Sequence, residues 1–247
     1  MFEILKSRRH QGHQTFSYPQ GETPKLPERF AGLPVIQPGC PSGCTACRAV
    51  CPTGAIQNGR LDLGQCLFCR RCAAACPQQL IEFTSNHQLA ASERQSLIVS
   101  ADNPAPLLEC RPEIKRLFGR SLKIRQVSAG GCNACEADLN VLNTIGWDLA
   151  RFGIQFVASP RHADALLVTG PVSQNMRAAL IDTYAATPAP KLVIAAGSCA
   201  IAGGPFAGHS AVAGGVDQLL PVDLYIPGCP PHPLTSLDAI LRLTGRL

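Results

Sequence analysis

The feature that most constrains this chain is an internal repeat of cysteines. Cys44-x2-Cys47-x3-Cys51-Pro52 recurs as Cys69-x2-Cys72-x3-Cys76-Pro77, offset by 25 residues, with Ile56 and Ile81 following at the same distance. One further cysteine opens each repeat, Cys40 in the first and Cys66 in the second. The second repeat is the full C-x2-C-x2-C-x3-C-P pattern, and the first carries a one-residue insertion between Cys40 and Cys44. Three closely spaced thiolates wrap one face of an iron–sulfur cubane, while the fourth cysteine, one turn on, faces away. In two-cluster ferredoxins that fourth cysteine serves the other cluster. The spacing therefore predicts one [4Fe–4S] cluster on Cys40, Cys44, Cys47 and Cys76, and a second on Cys51, Cys66, Cys69 and Cys72. A zinc ribbon on Cys44, Cys47, Cys66 and Cys69 also fits by spacing. It leaves four cysteines and both Cys-Pro signals unexplained, since structural zinc needs only four ligands.

The chain has 247 residues and thirteen cysteines. That length allows a real hydrophobic core, so a disulfide scaffold of the small secreted kind is not required. Residues 1 to 9 (MFEILKSRR) lack the apolar run of a signal peptide, which favours the reducing cytosol. Charged residues make up 16%, below the share of about a quarter usual for soluble domains. A surface partly covered by partners, or a compact core with little polar surface, accounts for this. The formal net charge of +5 does not imply nucleic acid. Three cubanes with their thiolates contribute about −6 and bring the total to about −1. The basic excess is local, with six cations between Arg111 and Arg125 against Glu113 alone. It reads as a solvated linker face or a docking surface for an acidic partner. The longest uncharged run, 192–216, holds six glycines and a proline and is not a membrane span.

Four regions are expected: an arm at 1–35, the cysteine repeats at 36–86, a basic linker at 87–121, and an α/β unit at 122–247. In the last, strands are predicted at 122–127, 154–157, 165–168, 192–196 and 222–226. Helices are predicted at 136–145, 173–185 and 234–243. Strands separated by helices argue for a mostly parallel sheet covered on both faces. Cys132 and Cys135 follow the first strand, Cys199 follows 192–196 and Cys229 follows 222–226. Open α/β sheets bind ligands at the carboxyl ends of their strands, so these four thiols can converge on one edge. Buried, inert cysteines are the competing reading. Glycines beside them (Gly130, Gly131, Gly197, Gly203, Gly204, Gly228) suit either close approach to a cluster or tight turns. Cys110 is left over as a structural thiol.

At these residues the sequence resembles a known family. Gly131-Cys132-x2-Cys135-Glu136, Ser159-Pro160-Arg161-His162-Ala163-Asp164, Gly197-Ser198-Cys199-Ala200 and Pro227-Gly228-Cys229-Pro230-Pro231 resemble the small subunit of energy-converting [NiFe] hydrogenases, including formate hydrogenlyase. They also resemble the homologous cluster-bearing small subunit of complex I. Residues 1–86 resemble the two-cluster ferredoxin subunit of the same complexes. The resemblance implies an α+β two-cluster ferredoxin domain followed by an α/β flavodoxin-like domain. It implies a third [4Fe–4S] cluster on Cys132, Cys135, Cys199 and Cys229, beside a large subunit that would carry nickel and iron. The two subunits, usually separate, are fused here. The complex I proteins have adjacent cysteines at the first position, so the Cys132-x2-Cys135 spacing favours the hydrogenase side.

The resemblance implies a proton-relay role for Glu136, although its position alone suits a carboxylate at a helix start. Arg161 and His162 would tune the cluster or face a partner. The function implied is electron relay from an upstream iron–sulfur donor, for example a formate-oxidising one, to the large subunit, where protons become hydrogen. Membrane subunits would hold the complex on the cytoplasmic face, and no nucleic acid is involved. The alternatives are a nickel-free quinone-reducing module, a free-standing carrier, and a zinc protein that binds nucleic acid.

Overall fold

The computed structural model describes residues 2–247. The cysteine-rich half is built from short pieces, because loops that must turn thiols inward leave little room for long elements. After α1 (Phe2–Gln11) come β1 (Pro34–Ile36), α2 (Ala46–Ala49), β2 (Ile56–Gln57), β3 (Arg60–Asp62), α3 (Arg71–Ala75), β4 (Ile81–Phe83) and β5 (Ile98–Val99). Strand β1 pairs antiparallel with β4, Val35 opposite Glu82. Strands β2, β3 and β5 form a second antiparallel sheet. The stretch read as a linker is packed rather than free. Leu89, Ala91, Leu97 and Val99 are buried, and α4 (Pro112–Phe118) buries Ile114 and Phe118. The Arg111 side chain pairs with Asp223.

The second half is β6 (Leu122–Ser128), α5 (Ala134–Val141), β7 (Ile154–Phe156), β8 (Ala165–Thr169), α6 (Gln174–Ala186), β9 (Leu192–Ala196), α7 (Ser198–Ala202), β10 (Leu224–Ile226) and α8 (Pro233–Leu243). Its five strands are all parallel, in the order β10-β9-β8-β6-β7. Counted by appearance this is 2-1-3-4-5, the flavodoxin-like order of a doubly wound sheet. Every residue of β8 (ALLVT) and β9 (LVIAA) is buried, as continuous apolar runs in two-sided strands should be.

Alternation along those strands divides the core in two. Ala165, Leu167, Leu192, Ile194 and Ala196 face the cluster made with α8 and the buried Trp147. Leu166, Val168, Val193 and Ala195 face the other way, into a cluster that also contains Ile56, Leu61, Leu63, Cys66, Leu97 and Val99. One face of the parallel sheet thus shares its core with the cysteine repeats. The sheet edge is sealed by the same half: the Ala91 N–H donates to the Tyr225 carbonyl at 3.1 Å, and the Ala91 carbonyl accepts from the Tyr225 N–H at 2.9 Å. Covering an edge strand in this way removes a site for unwanted pairing.

The arm is a strap across both halves. The Phe16 N–H donates to the Gly146 carbonyl at 2.8 Å, and the Phe16 ring meets Trp147 edge-on at 5.0 Å. Tyr18 is buried, its hydroxyl donating to Asp238 Oδ1 at 2.5 Å. Farther on, the Arg70 guanidinium donates to the carbonyl of Phe30, and Phe30 packs edge-on against His232 at 5.2 Å.

Candidate metal centres

The eight cysteines of the repeats gather into two groups that cross the repeats. Cys40, Cys44, Cys47 and Cys76 line one cavity, together with Ile36, Pro77 and Ile81. Cys51, Cys66, Cys69 and Cys72 line another, with Pro52, Leu61 and Phe83. Ile56, the residue the repeat keeps five places after Cys51, lines both cavities and separates them. The four cysteines that a zinc ribbon would need are split, Cys44 and Cys47 at the first cavity and Cys66 and Cys69 at the second.

Local backbone geometry turns the thiols inward. Within Cys66-Leu67-Phe68-Cys69, Phe68 takes a left-handed φ of 54°, which folds the loop so that its own N–H points at Cys66 Sγ, 3.3 Å away. The Leu80 N–H approaches Cys76 Sγ at 3.4 Å. Such donors favour the thiolate over the thiol and adjust the potential of a metal held there. Burial works in the opposite sense. It pushes the Cys66 thiol up to about 12 and Cys72 to about 11, and the neighbouring thiols of the same group add to both shifts. Cys51 is lowered: burial raises it, but hydrogen bonding around Thr53, Ala55 and Ile56 outweighs that.

The other four cysteines converge at the carboxyl edge of the parallel sheet. Cys132 precedes α5 and Cys135 lies in its first turn, Cys199 is in the first turn of α7, and Cys229 follows β10. Burial raises Cys135 to about 12, and Glu136, Cys199, Cys229 and Cys132 all push it further. Burial likewise takes Cys199 to about 11, with Cys229 and Cys132 adding to it. Glycine is required beside two of them. A Cβ on Gly197 would stand 2.7 Å from Cys135 Sγ, and one on Gly204 would stand 2.7 Å from Cys199 Sγ. Four thiols, soft donors without a competing oxygen ligand, around a space that the glycines keep clear are a donor set suited to an iron–sulfur cluster. The two other quartets, ringing apolar cavities, suit one equally well.

Comparison with known proteins identifies the family. Residues 132–243 match the family described as NADH ubiquinone oxidoreductase, 20 Kd subunit. Residues 40–87 match the LdpA Fe-S cluster-binding domain. A probable membrane-bound hydrogenase subunit of Pyrococcus furiosus is 39% identical over 135 residues, which cover 55% of this chain and 81% of that protein. The chain belongs to the 20 Kd oxidoreductase subunit family.

Formate hydrogenlyase subunit 7 of Escherichia coli is 43% identical over 128 residues, 52% of this chain and 50% of that protein. The chain thus spans only half the length of that relative. An NADH-quinone oxidoreductase subunit of Heliobacterium modesticaldum is 42% identical over 120 residues, 48% of this chain and 69% of that protein. The members it resembles are oxidoreductase subunits, and the family matched by residues 40–87 is an iron–sulfur cluster-binding domain by its description. No helix among the described residues is long and apolar enough to cross a membrane.

In this family member Glu136 is buried behind the third quartet, one residue beyond Cys135. Its Oε1 accepts hydrogen bonds from Ser128 Oγ and Thr169 Oγ1, both at 2.6 Å. Burial raises its pKa, yet these two donors and a backbone N–H together outweigh burial and the carboxyl is held below its usual value. Arg161 and His162 are exposed in a short turn after β7, where the Arg161 N–H is capped by Ser159 Oγ. Neither side chain hydrogen-bonds a cysteine of the quartet among the described residues. Cys110 is exposed, away from all three groups. Sequence reasoning read Ser198 only as part of a motif. It is buried, and its hydroxyl contacts the Cys66 carbonyl at 2.6 Å.

Proposed function

We propose that the chain carries three [4Fe–4S] clusters, on Cys40/Cys44/Cys47/Cys76, on Cys51/Cys66/Cys69/Cys72 and on Cys132/Cys135/Cys199/Cys229. In this reading residues 36–86 are a two-cluster ferredoxin domain joined to the 122–247 unit. The chain relays electrons between an upstream iron–sulfur donor, such as a formate-oxidising partner, and a [NiFe]-hydrogenase-type large subunit that turns protons into hydrogen. Flow in the reverse direction is equally allowed. Membrane subunits of the complex would hold the chain peripherally at the cytoplasmic face.

Such clusters, when bound, take up and release single electrons. The chain supplies positions and surroundings. Apolar walls shield the buried sulfurs of Cys66 and Cys72, the N–H groups of Phe68 and Leu80 favour the charged ligands, and glycines at 197 and 204 admit bulk beside Cys135 and Cys199. One observation carries the reading: the quartets are contiguous. Ile56 lines the cavities of both the first and the second quartet, and Ser198, next to Cys199 of the third, lies 2.6 Å from the carbonyl of Cys66 of the second. Neighbouring sites joined through single residues are what a relay requires.

The test is iron and sulfide per anaerobically isolated chain. About twelve irons are expected, four at each of three sites. About eight, with the first two signals intact in electron paramagnetic resonance, would remove the third site.

The likeness to the NADH-quinone oxidoreductase subunit favours a second reading, a nickel-free module that reduces quinone. A large-subunit partner lacking two Cys-x2-Cys pairs selects it over the hydrogenase reading.

A further inference from the structure

We infer that Ser198 is a positioning residue that clamps the Cys66 loop to the Cys199 and Cys229 loops, so that an electron passes directly between the second and third quartets inside this chain. The inference rests on the three-cluster reading above.

Ser198 stands at the seam between the halves, next to Cys199, and is 1% exposed. Its backbone N–H donates to the Gly228 carbonyl at 2.9 Å. Its Oγ lies 2.6 Å from the Cys66 carbonyl and 3.1 Å from the Gly228 carbonyl. A hydroxyl has one proton to give. The shorter contact takes it, and Gly228 already receives the N–H. One residue therefore bonds the backbone of a second-quartet ligand, Cys66, and the backbone adjoining a third-quartet ligand, Cys229. No other backbone N–H among the described residues donates to the Cys66 carbonyl, so removing the hydroxyl strands that acceptor in the seam.

The packing around the clamp has the same design. Gly64 sits on the Cys66 loop, and a Cβ there would lie 2.7 Å from Ile201 Cγ2 of α7 and 3.0 Å from the Arg94 guanidinium. Arg94 is itself fixed by Asp62, with bonds of 2.8 and 2.6 Å. Helix α7, which bears Cys199, is thus seated flush on the 62–66 loop. With clusters bound, one electron would leave a reduced second site and arrive at an oxidised third. No bond forms or breaks and no proton need move, and an external one-electron donor restores the second site.

The experiment uses the full iron-loaded chain, with Ser198→Ala, Ser198→Thr and Gly64→Ala. Iron content and the separate paramagnetic signal of each site are measured first. Next come the magnetic splitting between the second and third signals at full reduction, and the rate at which the third signal follows the second after a pulse of photoreduced flavin. Ser198→Ala should keep its iron and separate signals, lose splitting and transfer severalfold more slowly, while Ser198→Thr behaves as the parent. Gly64→Ala, which opens the seam without touching the hydroxyl, should slow transfer in the same way. Parent-like splitting and rate in an iron-replete Ser198→Ala chain overturn the inference. If that variant loses iron, parent-like transfer in Gly64→Ala overturns it. A parent chain lacking iron at either quartet would instead overturn the three-cluster reading itself.

Discussion

The Thr169 hydroxyl, at the carboxyl end of the central strand β8, donates to Glu136 Oε1 at 2.6 Å, and Ser128 donates to the same oxygen from the neighbouring strand. A carboxylate sealed behind the third quartet is thereby kept ionised although burial opposes its charge. The folded pKa lies below the unfolded value of about 4.3, so this contribution to stability is present above that pH and is lost as pH falls through the lowered value. Thr169→Val removes one donor at nearly constant volume. The Glu136 pKa should rise, with a loss of about 1.5–3 kcal/mol for a bond to a charged group. Infrared titration of the carboxylate checks it, and an unmoved pKa would show that Ser128 and the backbone N–H hold the charge without Thr169.

The crossing of the cysteine repeats makes a sharp prediction. Cys76 belongs to the second repeat yet lines the cavity of Cys40, Cys44 and Cys47. Cys51 belongs to the first yet lines the cavity of Cys66, Cys69 and Cys72. Cys76→Ser should therefore disturb the paramagnetic signal that Cys44→Ser disturbs, and Cys51→Ser the signal that Cys69→Ser disturbs. Each variant should lose up to about four irons. Pairing by repeat in place of pairing by cavity would refute the crossed assignment.

Much of this architecture was legible because it is local. The repeat spacing sorts eight cysteines without reference to the rest of the chain. The all-apolar runs of β8 and β9, and the cysteines placed just after strands, point to one sheet edge. What escaped is long-range. Ser198 meets Cys66 across 132 residues, and Tyr18 meets Asp238 across 220. No periodicity announces such a pair. The stretch at 111–125 was masked by its charge: six cations suggested a solvated face, while Ile114, Phe118, Leu122 and Ile124 among them are buried. Long basic side chains flank an apolar stripe and can lie over its edges without entering it.

Loading the sites with iron should release protons. Burial pushes the thiols of Cys66 and Cys135 up to about 12 in the empty chain, so they are neutral at neutral pH, whereas a metal ligand is a thiolate. Raising the pH should therefore favour loading, and acid should oppose it. In the metal-free chain exposed Cys110 should alkylate early, and buried Cys66 late. Timed iodoacetamide labelling read by mass spectrometry distinguishes them. Equal labelling rates would mean that the Cys66 loop opens freely without metal.

The strap across the two halves should give stability a pH optimum with separable limbs. Burial alone would raise the Asp238 carboxyl, but His87, 3.7 Å away, and the hydrogen bonds from Tyr18 and Arg242 hold it below its usual value. Its contribution is present above the unfolded pKa of about 3.9 and is lost as acid titrates it in the fold. Tyr18 is shifted the other way: burial, then the bond to Asp238 and its charge, raise the phenol. That contribution is present below the unfolded value of about 10 and is lost as pH climbs beyond it. Asp238→Ala leaves the buried Tyr18 hydroxyl without its acceptor, while the partly exposed Arg242 can turn to solvent, and should cost about 1–3 kcal/mol. Tyr18→Phe removes one donated hydrogen bond and should cost about 1 kcal/mol. Urea unfolding followed by the fluorescence of Trp147 across pH should show Tyr18→Phe flattening the alkaline limb and leaving most of the acid limb. If instead Tyr18→Phe erased the acid limb, Asp238 would owe its low pKa to the phenol, and the Arg242 pair, at 2.9 and 3.0 Å, would contribute little.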